Sequence, residues 1–291
     1  MNRNILLSFF SLLVVWSCSY GQNTTNKSEF DELKGYTALS VLPIGERPQL
    51  GWKAEGKGII VDPNADKSGF PPGILYYKKQ SDTSEKNSEK KDPYTTIQFV
   101  LGMASQWEFI TPYSRSINLF VMSGKTAEGA PLYKDYTTVK FPENSRGGIV
   151  FLWQKNTKNW DNPNQLIVPL ETFVNPATMI PTEGVLVVNT LPYKLAYVVG
   201  TSKGVLDPGG KAFIPSANPT ATIEFELSIF KNGKWESMMK SRATLQEKGI
   251  LFFYAYRNVQ NRQKNLDKIN YKYMPLPKLP QPEQQPVSQP K

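Results

Sequence analysis

The sequence predicts an all-β protein built as two β-sandwiches in tandem, and three observations carry that prediction. Short apolar or alternating runs of about five to nine residues recur along the chain, punctuated by Gly, Pro and Asn. No stretch of twelve or more residues holds helical spacing. Between the two atypical ends lie about 250 residues, in a chain that is 40% hydrophobic and 12% aromatic. That is enough for one large or two medium β domains, and Ig-like sandwiches are the expected class.

The chain opens on an export signal, residues 1–21. Arg3 supplies the positive start, and "ILLSFFSLLVVW" (5–16) supplies an apolar segment well short of the roughly 20 residues a membrane-spanning helix needs. The lone cysteine of the chain, Cys18, follows at once. Val15-Trp16-Ser17-Cys18 resembles the bacterial lipobox, with Val and Ser at matching positions and Trp16 bulkier than that pattern. The resemblance implies lipidation of Cys18 and attachment to a membrane, since each buried acyl methylene adds about 0.8 kcal/mol. The alternative is ordinary cleavage that leaves Gln22 as the new terminus. Both readings place the protein outside the cytoplasm, outer-membrane-anchored or free in the periplasm or medium. Residues 22–35 form a polar spacer, in which "SEFDELKG" (28–35) is the best short helical candidate.

Residues 36–180 form the first β domain. Its strand candidates are "GIIV" (58–61), "GILYYKK" (73–79), "YTTIQFVLG" (94–102), "SINLFVM" (116–122) and "GGIVFLW" (147–153). "QSDTSEKNSEKKDP" (80–93) and "NTKNWDNPN" (156–164) read as polar loops.

Residues 181–273 form the second domain, a sandwich of seven or so strands. "GVLVVNT" (184–190) and "KLAYVVG" (194–200) open it, and "GGKAFIP" (209–215) follows through the turn "VLDPGG". "TIEFELSIF" (222–230) alternates strictly, placing Ile223, Phe225, Leu227 and Ile229 on one side and Glu224 and Glu226 on the other. "KNGK" then turns the chain back. A three-residue loop of Asn232, Gly233 and Lys234 with a bulge sets Glu226 opposite Lys240 and Glu224 opposite Arg242, whereas a two-residue loop sets Glu226 opposite Met239. We favour the first register, because opposite charges across a strand pair contribute about 0.2–1 kcal/mol each. The two glutamates are then charge partners on a wet face. "GILFFYAY" (249–256) completes a three-stranded meander after "QEKG".

The pattern "VVN-x-x-P", then "LAYVVG", then "LDPGG" (187–210) resembles uncharacterised exported β-sandwich proteins of environmental Gram-negative bacteria. The resemblance covers about a third of the chain and implies a sandwich fold with no stated activity.

Residues 274–291, rich in Pro and Gln, read as a disordered tail beginning near Tyr273. From Lys231 onward twelve Lys or Arg stand against four acids, so this last fifth carries nearly all of the net charge of +9. For an exported protein such a surplus suits anionic polysaccharide, an anionic lipid surface or other envelope proteins; nucleic acid is not expected. A solvated face is the plainer reading.

The chain has no histidine, and its one thiol lies in the export signal. That removes Ser-His and Cys-His nucleophiles and the usual zinc, copper and haem sites from the folded domains, and no cofactor is expected. Carboxylate chemistry and oxygen-ligated cations remain. Asp62, Asn64, Asp66 and Ser68 alternate like calcium ligands, but Lys67 stands where an EF-hand loop has Gly and Gly73 where it has its bidentate Glu, so a turn is the expected role. "GTSKGVLDPGG" lacks the ending of a phosphate-binding loop. Glu108, Asp161, Glu171 and Glu183 are acids of the kind a glycosidase pairs, though no motif selects two of them. Among the tryptophans, Trp153 reads as core, while Trp160, amid Asn and Lys, is the exposed candidate for stacking on a sugar. The expected function is non-catalytic: an exported or lipid-anchored envelope protein serving structure or interaction. A carbohydrate-binding module using exposed aromatics comes second, and a carboxylate-dependent hydrolase third.

Overall fold

A computed structural model describes residues 35–45, 52–55, 58–61, 71–79, 93–155, 160–175, 180–216, 218, 220–246, 249–257 and 267–276. The fold is all-β. The first module contains β1 (Thr37–Ile44), β2 (Trp52–Glu55), β3 (Gly58–Val61), β4 (Ile74–Lys78), β5 (Tyr94–Gln98), β6 (Glu108–Ile110), β7 (Ser116–Lys125), β8 (Pro131–Lys140), β9 (Gly147–Trp153) and β10 (Asn164–Pro169). A 3-10 turn (Leu170–Phe173) and the two-residue strands β11 (Val174–Asn175) and β12 (Ile180–Pro181) lead onward. The second module contains β13 (Gly184–Asn189), β14 (Leu195–Val199), β15 (Ser202–Leu206), β16 (Lys211–Pro215), β17 (Thr222–Lys231), β18 (Lys234–Thr244), β19 (Gly249–Arg257) and β20 (Asp267–Pro275).

Each module is a sandwich of two four-stranded sheets, and the two modules share one topology. The first packs β10-β9-β1-β6 on β5-β4-β7-β8; the second packs β20-β19-β13-β16 on β15-β14-β17-β18. With the β2–β3 hairpin set aside and strands renumbered from each module's start, both read 8-7-1-4 over 3-2-5-6. Even the unusual parallel pairing recurs, β1 with β9 and β13 with β19. Among the described residues the two modules are thus the same eight-stranded arrangement.

The inner strands explain why their sequences read as unbroken apolar runs. Along β1, Leu39 and Val41 enter the first module's own core while Ala38, Leu42 and Ile44 point the other way. Along β19, Leu251 and Phe253 enter the second module's core while Ile250, Phe252, Tyr254 and Tyr256 point away. Those away-facing sets meet, together with Ile149 and Phe151 of β9, Leu186 and Val188 of β13 and Met274 of β20, in a third core between the modules. Phe151 meets Phe252 edge-on, ring centroids 6.1 Å apart. The molecule is therefore a four-layer stack whose two inner sheets are buried on both faces.

One glycine is forced by that packing. At Gly147, φ is +122°, and an added Cβ would lie 1.8 Å from the carbonyl oxygen of Ala38. The start of β9 can come this close to β1 only without a side chain.

Each expected strand window contains a strand, although that at 94–102 ends at Gln98, and the two sandwiches and the inward face of β17 agree with the sequence. The hairpin register also agrees: Glu226 faces Lys240 and Glu224 faces Arg242, with closest N···O distances of 3.4 and 2.9 Å. The loop itself differs. It has two central residues, Asn232 (φ 53°) and Gly233 (φ 78°), the positive pair a type I′ turn requires. Lys231 pairs with Lys234, and the extra residue is a bulge farther along, opposite Leu227 and Ser228. The charge pairs thus survive a wrong loop length, because the bulge restores the register beyond it.

Two further expectations are corrected. β19 does not extend the β17–β18 hairpin into a meander; it crosses to the inner sheet and lies between β13 and β20. A strand apolar on both faces has no place in an outer sheet that is wet on one side. The connection through "VLDPGG" contains a strand of its own, β15, paired antiparallel with β14. Its Lys203 and Val205 are exposed, and Gly204 sits where a Cβ would meet the Tyr197 hydroxyl at 2.6 Å. β20 also runs to Pro275 with Met274 buried, so packed structure passes the expected start of the tail at 274. The export signal with Cys18, the helical candidate up to residue 34, the loop at 80–92 and residues from 277 lie outside the described residues.

Candidate functional site

The outer sheet of the first module carries the most chemistry. Alternation along β4 sends Leu75 and Tyr77 into the core and leaves Tyr76 half-buried on the outer face. Along β7, Ile117, Leu119 and Val121 go in, and Asn118, Phe120 and Met122 stay out. Tyr94 of β5 and Tyr133 of β8 join them. Tyr94 stacks on Tyr133 at 3.9 Å between ring centroids, Tyr76 meets Tyr133 edge-on at 4.8 Å, and Phe120 meets Tyr94 edge-on at 5.1 Å. Four aromatic rings on a solvent-facing sheet form a shelf with apolar faces and phenol edges.

A cleft of about 450 Å³ adjoins this shelf, lined among others by Phe120, Lys78, Lys79, Thr111, Ser116 and Asn118. It opens where the β4–β7 ladder ends, at Tyr77↔Leu119. Beyond Tyr77 the strands part, with two lysines on one rim and Ser116 to Asn118 on the other. The loop after β6, including Ser114 and the cis Thr111–Pro112 peptide, closes one end. Thr138 Oγ1 donates to Asn118 Oδ1 at 2.9 Å, holding that amide in place.

Glu108 lies near the same end. Burial pushes its carboxyl above the usual glutamate range, and the charge of Lys79 pulls it back. Burial likewise raises the Tyr77 phenol, with the Glu108 charge adding to it.

Most residues singled out from the sequence sit elsewhere. Trp160, expected to be exposed, is only 4% exposed and belongs to the first module's core. Its neighbours Asp161 and Asn162 are exposed, and the indole plugs the sandwich beneath them; a ring that buries so much area closes a core better than it decorates a loop. Trp153 packs against the shared core, as expected. Asp62, Asn64, Asp66 and Ser68 lie outside the described residues. Among the described residues no three His, Cys, Asp or Glu side chains gather as metal ligands would.

Two more of the candidate acids have structural partners. Glu171 is a structural pin: Oε1 accepts from the Arg146 backbone N–H at 2.6 Å and Oε2 from Ser145 Oγ at 2.8 Å. Asp161 lies 3.5 Å from Lys134. The basic surplus of the last fifth is partly neutralised, since Lys231, Lys234, Lys240 and Arg242 each stand within 4 Å of a carboxylate.

The pattern behind the family resemblance is architectural. Asn189 is fully buried. Its Nδ2 donates toward the carbonyls of Tyr193, Leu206 and Asp207 at 2.7–3.2 Å, and its Oδ1 accepts from the Leu191 N–H. Gly209 N–H donates to the Asn189 carbonyl and Asn189 N–H to that of Gly210. "VVN-x-x-P" and "LDPGG" are thus two halves of one clasp joining β13, β14 and the β15–β16 turn.

Sequence reading passed over Tyr76, Phe120, Lys78 and Asn118. A signal was present: in "ILYYK" and "INLFVM" the strict alternation leaves an aromatic residue on the polar face of each strand. Comparison with known proteins adds no assignment, since no family model and no curated protein matches the chain.

Proposed function

We propose that the protein is a non-catalytic, exported envelope protein in which two sandwiches act as one rigid body that presents the outer face of the first module to its partners. The supporting observation is the apolar core between the inner sheets, which locks the modules together and leaves the outer sheets to solvent. A lipid on Cys18 would attach this body to a membrane through the spacer. The test is intact mass and membrane partitioning of the chain expressed in a Gram-negative host, beside Cys18→Ala, followed by crosslinking from the aromatic shelf. An acyl mass on Cys18 with release of the variant supports anchoring. A mass starting at Gln22 in both makes the protein a soluble exported one, and failure to crosslink any envelope component removes the interaction role.

One observation favours the carbohydrate-binding reading, moved from Trp160 to a new place. Tyr76, Tyr94, Phe120 and Tyr133 form an aromatic shelf beside a polar cleft, the combination that stacks sugar rings and bonds their hydroxyls. Retardation in glycan affinity gels, lost in Tyr76→Ala, is the expected result; equal migration with and without glycan refutes it.

A further inference from the structure

We propose that the cleft between Lys78–Lys79 and Ser116–Asn118 binds the carboxylate-bearing sugar units of an acidic polysaccharide. This rests on the carbohydrate-binding reading and names the class of glycan and the subsite.

The topology shared by the two modules supplies an internal comparison. Pairing of Tyr77 with Leu119 in the first module corresponds to pairing of Val199 with Phe225 in the second. At the equivalent place the second module also has a cleft, lined by the end of β14, the end of β16 and the start of β17, including Gly200, Thr201 and Glu224. There the ladder continues past the aligned pair by one hydrogen bond, Gly200 N–H to the Glu224 carbonyl at 2.8 Å. In the first module it ends at the aligned pair itself. The aligned positions carry different chemistry: Lys78 stands for Gly200, Lys79 for Thr201 and Asn118 for Glu224, whose carboxylate lies 2.9 Å from Arg242. The two clefts are of similar size, about 450 and 470 Å³, and differ in charge: the first has two lysines where the second has none.

The open cleft matches a uronate in three respects. Lys78 is exposed, with no carboxylate within ion-pair distance among the described residues, so it can meet a sugar carboxylate. Lys79 stands beside it, its charge shared with Glu108. Hydroxyls of Thr111 and Ser116 and the Asn118 amide supply partners for ring hydroxyls. Phe120 and the stacked tyrosines beyond it offer a platform to the next sugar along a chain. A bare phosphate would engage the lysines and leave the other two features unused.

The test measures binding of the full chain to an oligogalacturonate, a neutral dextran oligomer of similar length and inorganic phosphate. Oligogalacturonate should bind, and Lys78→Glu should weaken it about tenfold or more while Lys78→Arg largely retains it. Lys203→Glu, an exposed charge reversal on the outer sheet of the second module, should leave affinity within about twofold. Urea midpoints equal to wild type confirm that the variants are folded. Equal weakening by Lys78→Glu and Lys203→Glu would mean diffuse attraction to a cationic protein and overturn the proposal. Full competition by phosphate at matched concentration would overturn the uronate assignment. If only dextran binds, and Tyr76→Ala abolishes it, the carbohydrate reading stands and the cleft proposal falls; if no glycan binds, both fall.

Discussion

Cutting the chain between the modules should leave a second module that does not survive as a monomer. Residues 184–276 retain both of their sheets and the core between them, but lose the cover over the outward side of β13, β19 and β20. Seven side chains of this module belong to the shared core: Leu186, Val188, Ile250, Phe252, Tyr254, Tyr256 and Met274. All are at most 4% exposed in the intact chain. At about 1.5 kcal/mol each, the low end for full burial, returning them to water costs about 10 kcal/mol. A whole domain typically has a net stability of about 5–15 kcal/mol. The fragment should therefore be poorly soluble, or pair with a second copy through the bared sheet. Light scattering after size exclusion reads the mass, and urea unfolding reads stability against the full chain. A monomeric fragment with the full chain's urea midpoint would show that the modules are independent domains in loose contact, and would remove the rigid body from the functional proposal.

Two other outcomes follow from single sites. Asn189→Ala should destabilise the chain by about 2–4 kcal/mol in urea unfolding, since it removes a buried amide's hydrogen bonds to three backbone carbonyls at 2.7–3.2 Å; a loss below about 0.5 kcal/mol would show that the clasp is held by its backbone bonds alone. Burial raises the Glu108 carboxyl's folded pKa above its ordinary value of 4.5, so its protonated form favours folding and stability is lost as pH rises through the raised value. Glu108→Gln should accordingly raise the melting temperature at neutral pH, with the gap closing below the ordinary value; a gap that is constant across pH would refute the assignment.

Much of the fold was legible because it depends on local periodicity. Strict alternation in "TIEFELSIF" gave the faces of β17, and the cross-strand charges gave its register with β18. What failed there was the loop, since a two-residue turn with a distant bulge and a three-residue loop leave the same pairs opposite each other. β15 was missed because an edge strand with Gly204 at its middle and Lys203 outward carries almost no apolar signal. The place of β19 was missed for the converse reason: a run apolar at every position says that both faces are covered, and does not say by what. For the candidate site, alternation in β4 and β7 already put Tyr76 and Phe120 on the outer face. Their gathering with Tyr94 and Tyr133, across residues far apart in sequence, was not visible.

The amino-acid sequence by itself determined the all-β class and the lack of histidine and thiol chemistry in the described residues, because composition and period-2 patterning act residue by residue. Tertiary structure alone decided that the two sandwiches share one topology, that Trp160 is a core plug, and that the equivalent clefts of the two modules differ in charge. These depend on which surfaces meet. Burial and pairing are properties of contacts between distant segments, and nothing in the period of a single strand records its neighbour.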